Sequence, residues 1–178
     1  MRLSGKKILL TGANGGIGRA IAEKALAEGA HLALCDKTSE LAESAKAALP
    51  DNTNSIVLAA DITDENAVQA MVAQAISELG GLDGVVNNAA MLADDDAMPA
   101  DTPLKSWQDT LAVNLTGAFL VYKHALPHLV EQQSGSLVTM SSLVAHSASA
   151  VPQIAYTASK GGLEAMTREI AIAHARDN

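Results

Sequence analysis

"KILLTGANGGIG", Lys7 to Gly18, decides how this chain folds. A short apolar run, "KILLT" (Lys7 to Thr11), passes directly into a glycine-rich turn. That turn opens onto a helical pattern from Ile17 to Glu28, with Ile17, Ile21, Ala25 and Leu26 near one face. Glycine allows a tight strand-to-helix turn, and its missing Cβ lets a pyrophosphate approach the main chain at a helix N-terminus. The usual GxGxxG spacing is not present; the glycines fall at Gly12, Gly15, Gly16 and Gly18. The turn alone would account for such a loop. Its place between the first strand and the first helix favours a dinucleotide.

Working outward, strand and helix patterns alternate. "HLALCD" (His31 to Asp36) is a second strand, followed by an Ala-rich helix to about Leu49, where Pro50 stops it. "SIVLAAD" is a third strand, and Asp64 caps a helix to Leu79. "LDGVVNN" is a fourth, a long helix runs from Pro103 to about Gln133, and "GSLVTMSS" is a fifth. A last helix spans Ala155 to about Ala175. Continuous apolar strands alternating with helices predict a parallel sheet covered on both faces, a doubly wound, Rossmann-like α/β fold. With 178 residues and no repeat, low-complexity segment or linker, residues 1–178 are expected to form one domain. The insertion Met91 to Asp101, "MLADDDAMPAD", is irregular, and its Asp94-Asp95-Asp96 run reads as a solvated loop rim or, failing that, a helper of substrate selection.

Bulk composition removes several function classes. A net charge of −8 and a pI near 4.9, with no basic run, argue against nucleic acid and against an anionic membrane surface. No stretch approaches the roughly 18 apolar residues of a membrane span, and "MRLSGKKILL" lacks a cleavage signal. Cys35 is the single cysteine, so no intrachain disulfide can form. These features predict a soluble, cytoplasmic protein. Aromatics make up only 2% of the chain, so the core must rest on Ala, Leu, Ile, Val and Met.

Asp36 closes the second strand. A carboxylate there can accept from both adenosine ribose hydroxyls and repels a 2′-phosphate, which favours NAD over NADP. Lys37 beside it weakens that preference, because a cation can hold a phosphate. In "YTASK" (Tyr156 to Lys160) a phenol and an ammonium lie one helical turn apart. An ordinary tyrosine, with a pKa of about 10, is a poor base near neutrality, and an adjacent cation favours its phenolate. A surface Tyr and Lys on an amphipathic helix is the bland alternative.

Taken in order, these motifs resemble the short-chain dehydrogenase/reductase family, in its short single-domain branch, over Lys6 to Asn178. "TGANGGIG" is similar to that family's TGxxxGxG loop, although Gly12, Gly15 and Gly18 also fit the GxxGxxG of the extended branch. "ADI" (Ala60 to Ile62) matches its adenine-binding segment, "NNAA" (Asn87 to Ala90) its NNAG, and "VNLTG" (Val113 to Gly117) its helix asparagine. "TMSS" and "YTASK" match its serine, tyrosine and lysine. The resemblance implies hydride transfer between NAD(H) and a secondary alcohol or ketone through Asn114, Ser142, Tyr156 and Lys160. It implies a cofactor site made of Gly12, Asn14, Gly16, Ile17, Gly18, Asp36, Asp61, Ile62, Asn88 and Ala89, together with Tyr156 and Lys160. Tyr156 would exchange the proton, Lys160 would also bond the nicotinamide ribose, Ser142 would orient the substrate oxygen, and Asn114 would hold a water linking Lys160 to solvent. Ser142 is favoured over Ser141, although the family more often places its serine at the position that is Leu143 here. Because that family commonly makes its dimer contact through the Tyr–Lys helix and the long helix before it, the small residues Ala158, Gly161, Gly162 and Ala165 suggest a homo-oligomer.

Other constellations carry less. His124 and His128 share a helical face but lack the glutamate of HExxH and are separated by Pro127, so a surface pair is expected and no metal. Ser141 to Ser149 contains His146 but no GxSxG elbow. The family continues past its Tyr–Lys helix with two further strands, a Pro-Gly turn and a substrate lid, none of which follows "AHARDN". Two functions are therefore expected to compete. One is an NAD-dependent oxidoreductase. The other is a truncated, catalytically weak or inactive dinucleotide-binding or assembly module of the same family.

Overall fold

A computed structural model describes residues 1–51 and 53–177; Asn178, the last position of the resemblance, lies outside them. The chain alternates β1 (Lys7–Thr11), α1 (Gly16–Ala27), β2 (His31–Asp36), α2 (Ser39–Ala47), β3 (Ser55–Ala59), α3 (Glu65–Leu79) and β4 (Gly84–Asn87). It continues with α4 (Leu104–Leu111), α5 (Ala118–Glu131), β5 (Ser136–Thr139) and α6 (Ile154–Ala173). Among the described residues five strands form one sheet in the order β3-β2-β1-β4-β5, every neighbouring pair parallel. This is the doubly wound arrangement expected from the sequence.

The pleat divides the core in two. Leu9, Ala33, Cys35, Leu58 and Val85 face α3 and α5, packing with Val68, Val72, Val121 and Tyr122. Leu10, Leu32 and Leu34 face the other way, onto Ala22, Ala25 and Ala45 of α1 and α2. Cys35 is buried, and desolvation pushes its thiol up to about 12, so it acts as a small hydrophobe. Asp64 caps α3 as its sequence position suggests, accepting from Asn66 N at 2.8 Å and Ala67 N at 3.2 Å.

One element differs from expectation. The single long helix from Pro103 is two helices, α4 and α5, joined by a π-helical turn over Ala112–Gly117 with Asn114 inside it. A π turn accommodates an extra residue in the hydrogen-bond ladder and concentrates at functional sites. Here it brings Gly117 against Ile62, where an added Cβ would lie 2.7 Å from Ile62 Cδ1. It also sets Leu115 against α6, where a Cβ on Gly162 would lie 2.9 Å from Leu115 Cδ2. Gly162 is thus spent on packing within the chain, whereas Gly161 faces open space.

Candidate active site

In an open parallel sheet, ligands bind beyond the carboxyl ends of the strands, where the strand order reverses. Here that point lies between β1 and β4. Thr11, at the end of β1 and fully buried, ties the two strands together. Its hydroxyl donates to Asn87 Oδ1 at 3.2 Å and accepts from Asn88 N at 3.1 Å and Ala89 N at 3.2 Å. Asn88 Nδ2 donates back to Thr11 O at 3.1 Å and to Gly12 O at 2.9 Å.

A cleft of about 580 Å³ opens over this junction. It is lined by the glycine loop, by Asp36, Asp61 and Ile62, and by Asn88 and Ala89, so every residue assigned to the cofactor apart from Tyr156 and Lys160 faces one cavity. Two of the glycines have opposite reasons to be there. Gly12 has φ +64°, and a Cβ on it would sit 2.7 Å from Ala89 Cα, so the backbone itself demands glycine. A Cβ on Gly16 would meet nothing within 4 Å. Its bareness leaves room in the cleft at the start of α1.

Asp36 is held in place by main-chain donors: Asn14 N to Oδ2 at 2.9 Å and Lys37 N to Oδ1 at 2.8 Å. Arg19, not singled out from sequence, braces the loop by donating from Nε to Asn14 O at 3.0 Å and from Nη2 to Ser44 Oγ at 3.0 Å. Asp61 accepts from the Thr63 hydroxyl at 2.7 Å and amide at 3.0 Å, and pairs with Lys37 Nζ at 3.0 Å. These partners, the Thr63 hydroxyl foremost, pull its carboxyl down to about 2. The acidic residue and backbone-lined glycine turn fit the ribose and pyrophosphate of a dinucleotide.

The second cluster lies beyond β4 and β5. Lys160, 2% exposed, donates from Nζ to Met140 O at 2.7 Å, and burial lowers its pKa. The same Nζ stands 5.5 Å from the centroid of the Tyr156 ring. Asn114, 1% exposed, clasps the main chain of Met91: Oδ1 accepts from Met91 N at 2.7 Å, and Nδ2 donates to Met91 O at 2.9 Å. Nδ2 also donates to Ser159 Oγ at 3.0 Å, and that hydroxyl donates to Tyr156 O at 2.7 Å. Ser159 is a buried strut inside "YTASK" that the sequence reading passed over. Ser141 donates to Glu164 Oε1 at 2.6 Å, which leaves Ser142, with no side-chain hydrogen bond among the described residues, as the available hydroxyl at the strand end.

Two expectations need correction. The Asp94-Asp95-Asp96 run is not uniformly a solvated rim: Asp94 and Asp95 are exposed, but Asp96 is 8% exposed and accepts from the backbone of α6. No local pattern announces this, because its partners lie 59 and 60 positions away. His124 and His128 are half-buried rather than on the surface, each with its Nε2 out of solvent and without a hydrogen bond, although His124 Nε2 stands 3.4 Å from Glu65 Oε1. Among the described residues no group of three or more His, Cys, Asp or Glu is placed to hold a metal ion, and no helix is long and apolar enough to cross a membrane.

The parallel sheet, its strand order and the cleft at its switch point define a Rossmann-like α/β protein. Within that class the chain belongs to the short chain dehydrogenase family, whose model matches residues 6–178. It is 34% identical over 178 residues to L-fucose dehydrogenase of Mus musculus, covering 98% of this chain and 62% of that protein. It is 38% identical over 173 residues to 2-(S)-hydroxypropyl-CoM dehydrogenase 3 of Xanthobacter autotrophicus (strain ATCC BAA-1158 / Py2), covering 96% and 66%. The crystal structure of NAD+-bound xylitol dehydrogenase superimposes with a TM-score of 0.95 at 31% identity, over 100% of this chain and 68% of that one. The chain therefore spans about three fifths of the length of the curated relatives it matches first.

Proposed function

We propose that the protein is an oxidoreductase that exchanges hydride between NAD(H) and a secondary alcohol or ketone, with Tyr156, Lys160, Ser142 and Asn114 as its working residues. The observation that carries this reading is the buried Lys160 ammonium, 5.5 Å from the Tyr156 ring and anchored at the carboxyl edge of the sheet. The dehydrogenases among its relatives, and the NAD+ bound to the xylitol dehydrogenase, point the same way.

When bound, the nicotinamide dinucleotide supplies the acceptor or donor of hydride. The protein's own groups do the rest. Gly12, Asn14, Gly16, Ile17 and Gly18 receive the pyrophosphate and its ribose; Asp36 takes the adenosine ribose hydroxyls, and Asp61 and Ile62 the adenine. Asn88 and Ala89 line the way to the nicotinamide end. Asp36, with the nearby cations Arg19 and Lys37 already partnered by Asn14 and Asp61, favours NAD over NADP. Tyr156 takes the alcohol proton in oxidation and returns it in reduction, a general acid–base step worth on the order of 10²–10⁴ in rate. Lys160 holds its ammonium 5.5 Å from the Tyr156 ring centroid and bonds the nicotinamide ribose, while the Ser142 hydroxyl orients the substrate oxygen. Both Nδ2 donors of Asn114 are spent on Met91 O and Ser159. A water linking Lys160 to solvent therefore rests on the remaining Oδ1 lone pair or on a main-chain carbonyl of the π turn.

Fluorescence titration with NADH, run beside turnover of a panel of secondary alcohols with NAD+, tests this reading. We expect saturable binding and hydride transfer in the same preparation. Binding without transfer would instead support the dinucleotide-binding or assembly module.

A further inference from the structure

The first turn of any helix leaves N–H groups without intrahelical partners. In α6 the ladder begins with Thr157 N to Gln153 O, so the N–H groups of Ile154, Ala155 and Tyr156 need acceptors from elsewhere. Gln153, at the N-cap position, offers no side-chain cap. All three donors find partners in one turn of the 91–102 loop. Ile154 N donates to Ala97 O at 3.2 Å, Ala155 N to Asp96 Oδ1 at 3.0 Å, and Tyr156 N to Asp96 Oδ2 at 2.9 Å. The turn presenting this carboxylate is itself braced: Asp96 N donates to Ala93 O at 3.1 Å, and Ala97 N to Thr102 Oγ1 at 2.9 Å. A negative charge at this end also complements the helix dipole.

Tyr156 and Lys160 are secured by different means. Lys160 lies one turn beyond Tyr156, in the second turn of α6, is 2% exposed, and is tied through Nζ to Met140 O. Tyr156 lies in the first turn, where helices fray, and its backbone is gripped by Asp96 at N and by Ser159 at O. Loss of the Asp96 carboxylate would therefore release the tyrosine and leave the lysine anchored.

We propose that Asp96 is the positioning residue for Tyr156, an N-cap supplied from a distant loop that keeps the phenol in register with Lys160. The inference rests on the reading of Tyr156 as the acid–base group. Asp96 touches neither cofactor nor substrate on this account, so its removal separates rate from binding. Asp96→Ala should lower kcat by roughly 10–100-fold, since a misplacement of about 1 Å costs that much. Its Kd for NADH should stay within about threefold, because Lys160 and Asp36 keep their own anchors. Asp96→Asn keeps one acceptor but sets its Nδ2 donor against the other amide, so it should recover part of the rate at most.

Amide hydrogen exchange gives a readout that needs no activity. In Asp96→Ala the amides of Ala155 and Tyr156 should exchange at least about 10-fold faster, while those of Leu163 to Thr167 stay protected. Unchanged protection at Tyr156 would overturn the proposal. So would a kcat loss in Asp96→Ala matched by an equal loss of NADH affinity. If the parent protein binds NADH but transfers no hydride, the proposed function fails, and the exchange result alone still decides whether Asp96 holds the tyrosine.

Discussion

At the scale of single residues, Lys160 shows how far this site departs from a surface pair. Desolvation lowers its pKa, so across the window below the ordinary lysine value of 10.5 the folded chain binds fewer protons at this position than the unfolded chain. Its contribution to stability is least favourable at low pH and improves as pH rises towards 10.5. Lys160→Met removes that slope. We expect the stability of the parent relative to Lys160→Met to rise between neutral pH and about pH 10, read by urea melts at stepped pH. A flat difference would mean that the ammonium is solvated and not poised beside the phenol. The neighbouring roles were unequally legible. "YTASK" announces Tyr156 and Lys160 because their spacing is local, and Asp36 and Asp61 stand at strand ends where acidic groups are expected. Asp96 carries no such mark, since its partners are the backbone of a helix far along the chain and backbone groups leave no trace in sequence.

Among elements, the glycine loop offers the sharpest contrast. Gly12 is required by its positive φ and by Ala89, whereas Gly16 has open space where a side chain would go. Gly12→Ala should destabilise the fold by about 1–3 kcal/mol, as strained or overpacked positions do. Gly16→Ala should leave the melting temperature nearly unchanged and weaken NADH binding at least several-fold, measured by the same titration. Equal effects of the two substitutions on stability would contradict this division. Strands β1 to β5 were readable as apolar runs because both faces of a parallel sheet are buried. The π turn was not. Apolar periodicity continues through "LAVNLTGAF", and only Asn114, a poor interior helix residue, hinted that the ladder is interrupted there. The interruption coincides with the clasp of Asn114 on Met91, a contact 23 positions away.

At the scale of the whole chain, β5 pairs with β4 alone among the described residues, and its Val138 is 44% exposed. Exposed apolar side chains also stand on the helices, Phe119 of α5 and Ile172 of α6 among them. We propose a homo-oligomer formed through these last helices. Sedimentation velocity should show a species larger than the monomer, shifted towards monomer by Phe119→Glu; a strict monomer at high concentration would contradict it. Our proposal is that a dinucleotide cleft and a tyrosine base work together at one end of the sheet. It is tested most directly by comparing hydride transfer from secondary alcohols to NAD+ in the parent and in Tyr156→Phe, with NADH affinity measured on both. Both should bind NADH within a few-fold, and the rate should fall on the order of 10²–10⁴ in Tyr156→Phe. An unchanged rate in Tyr156→Phe would contradict it.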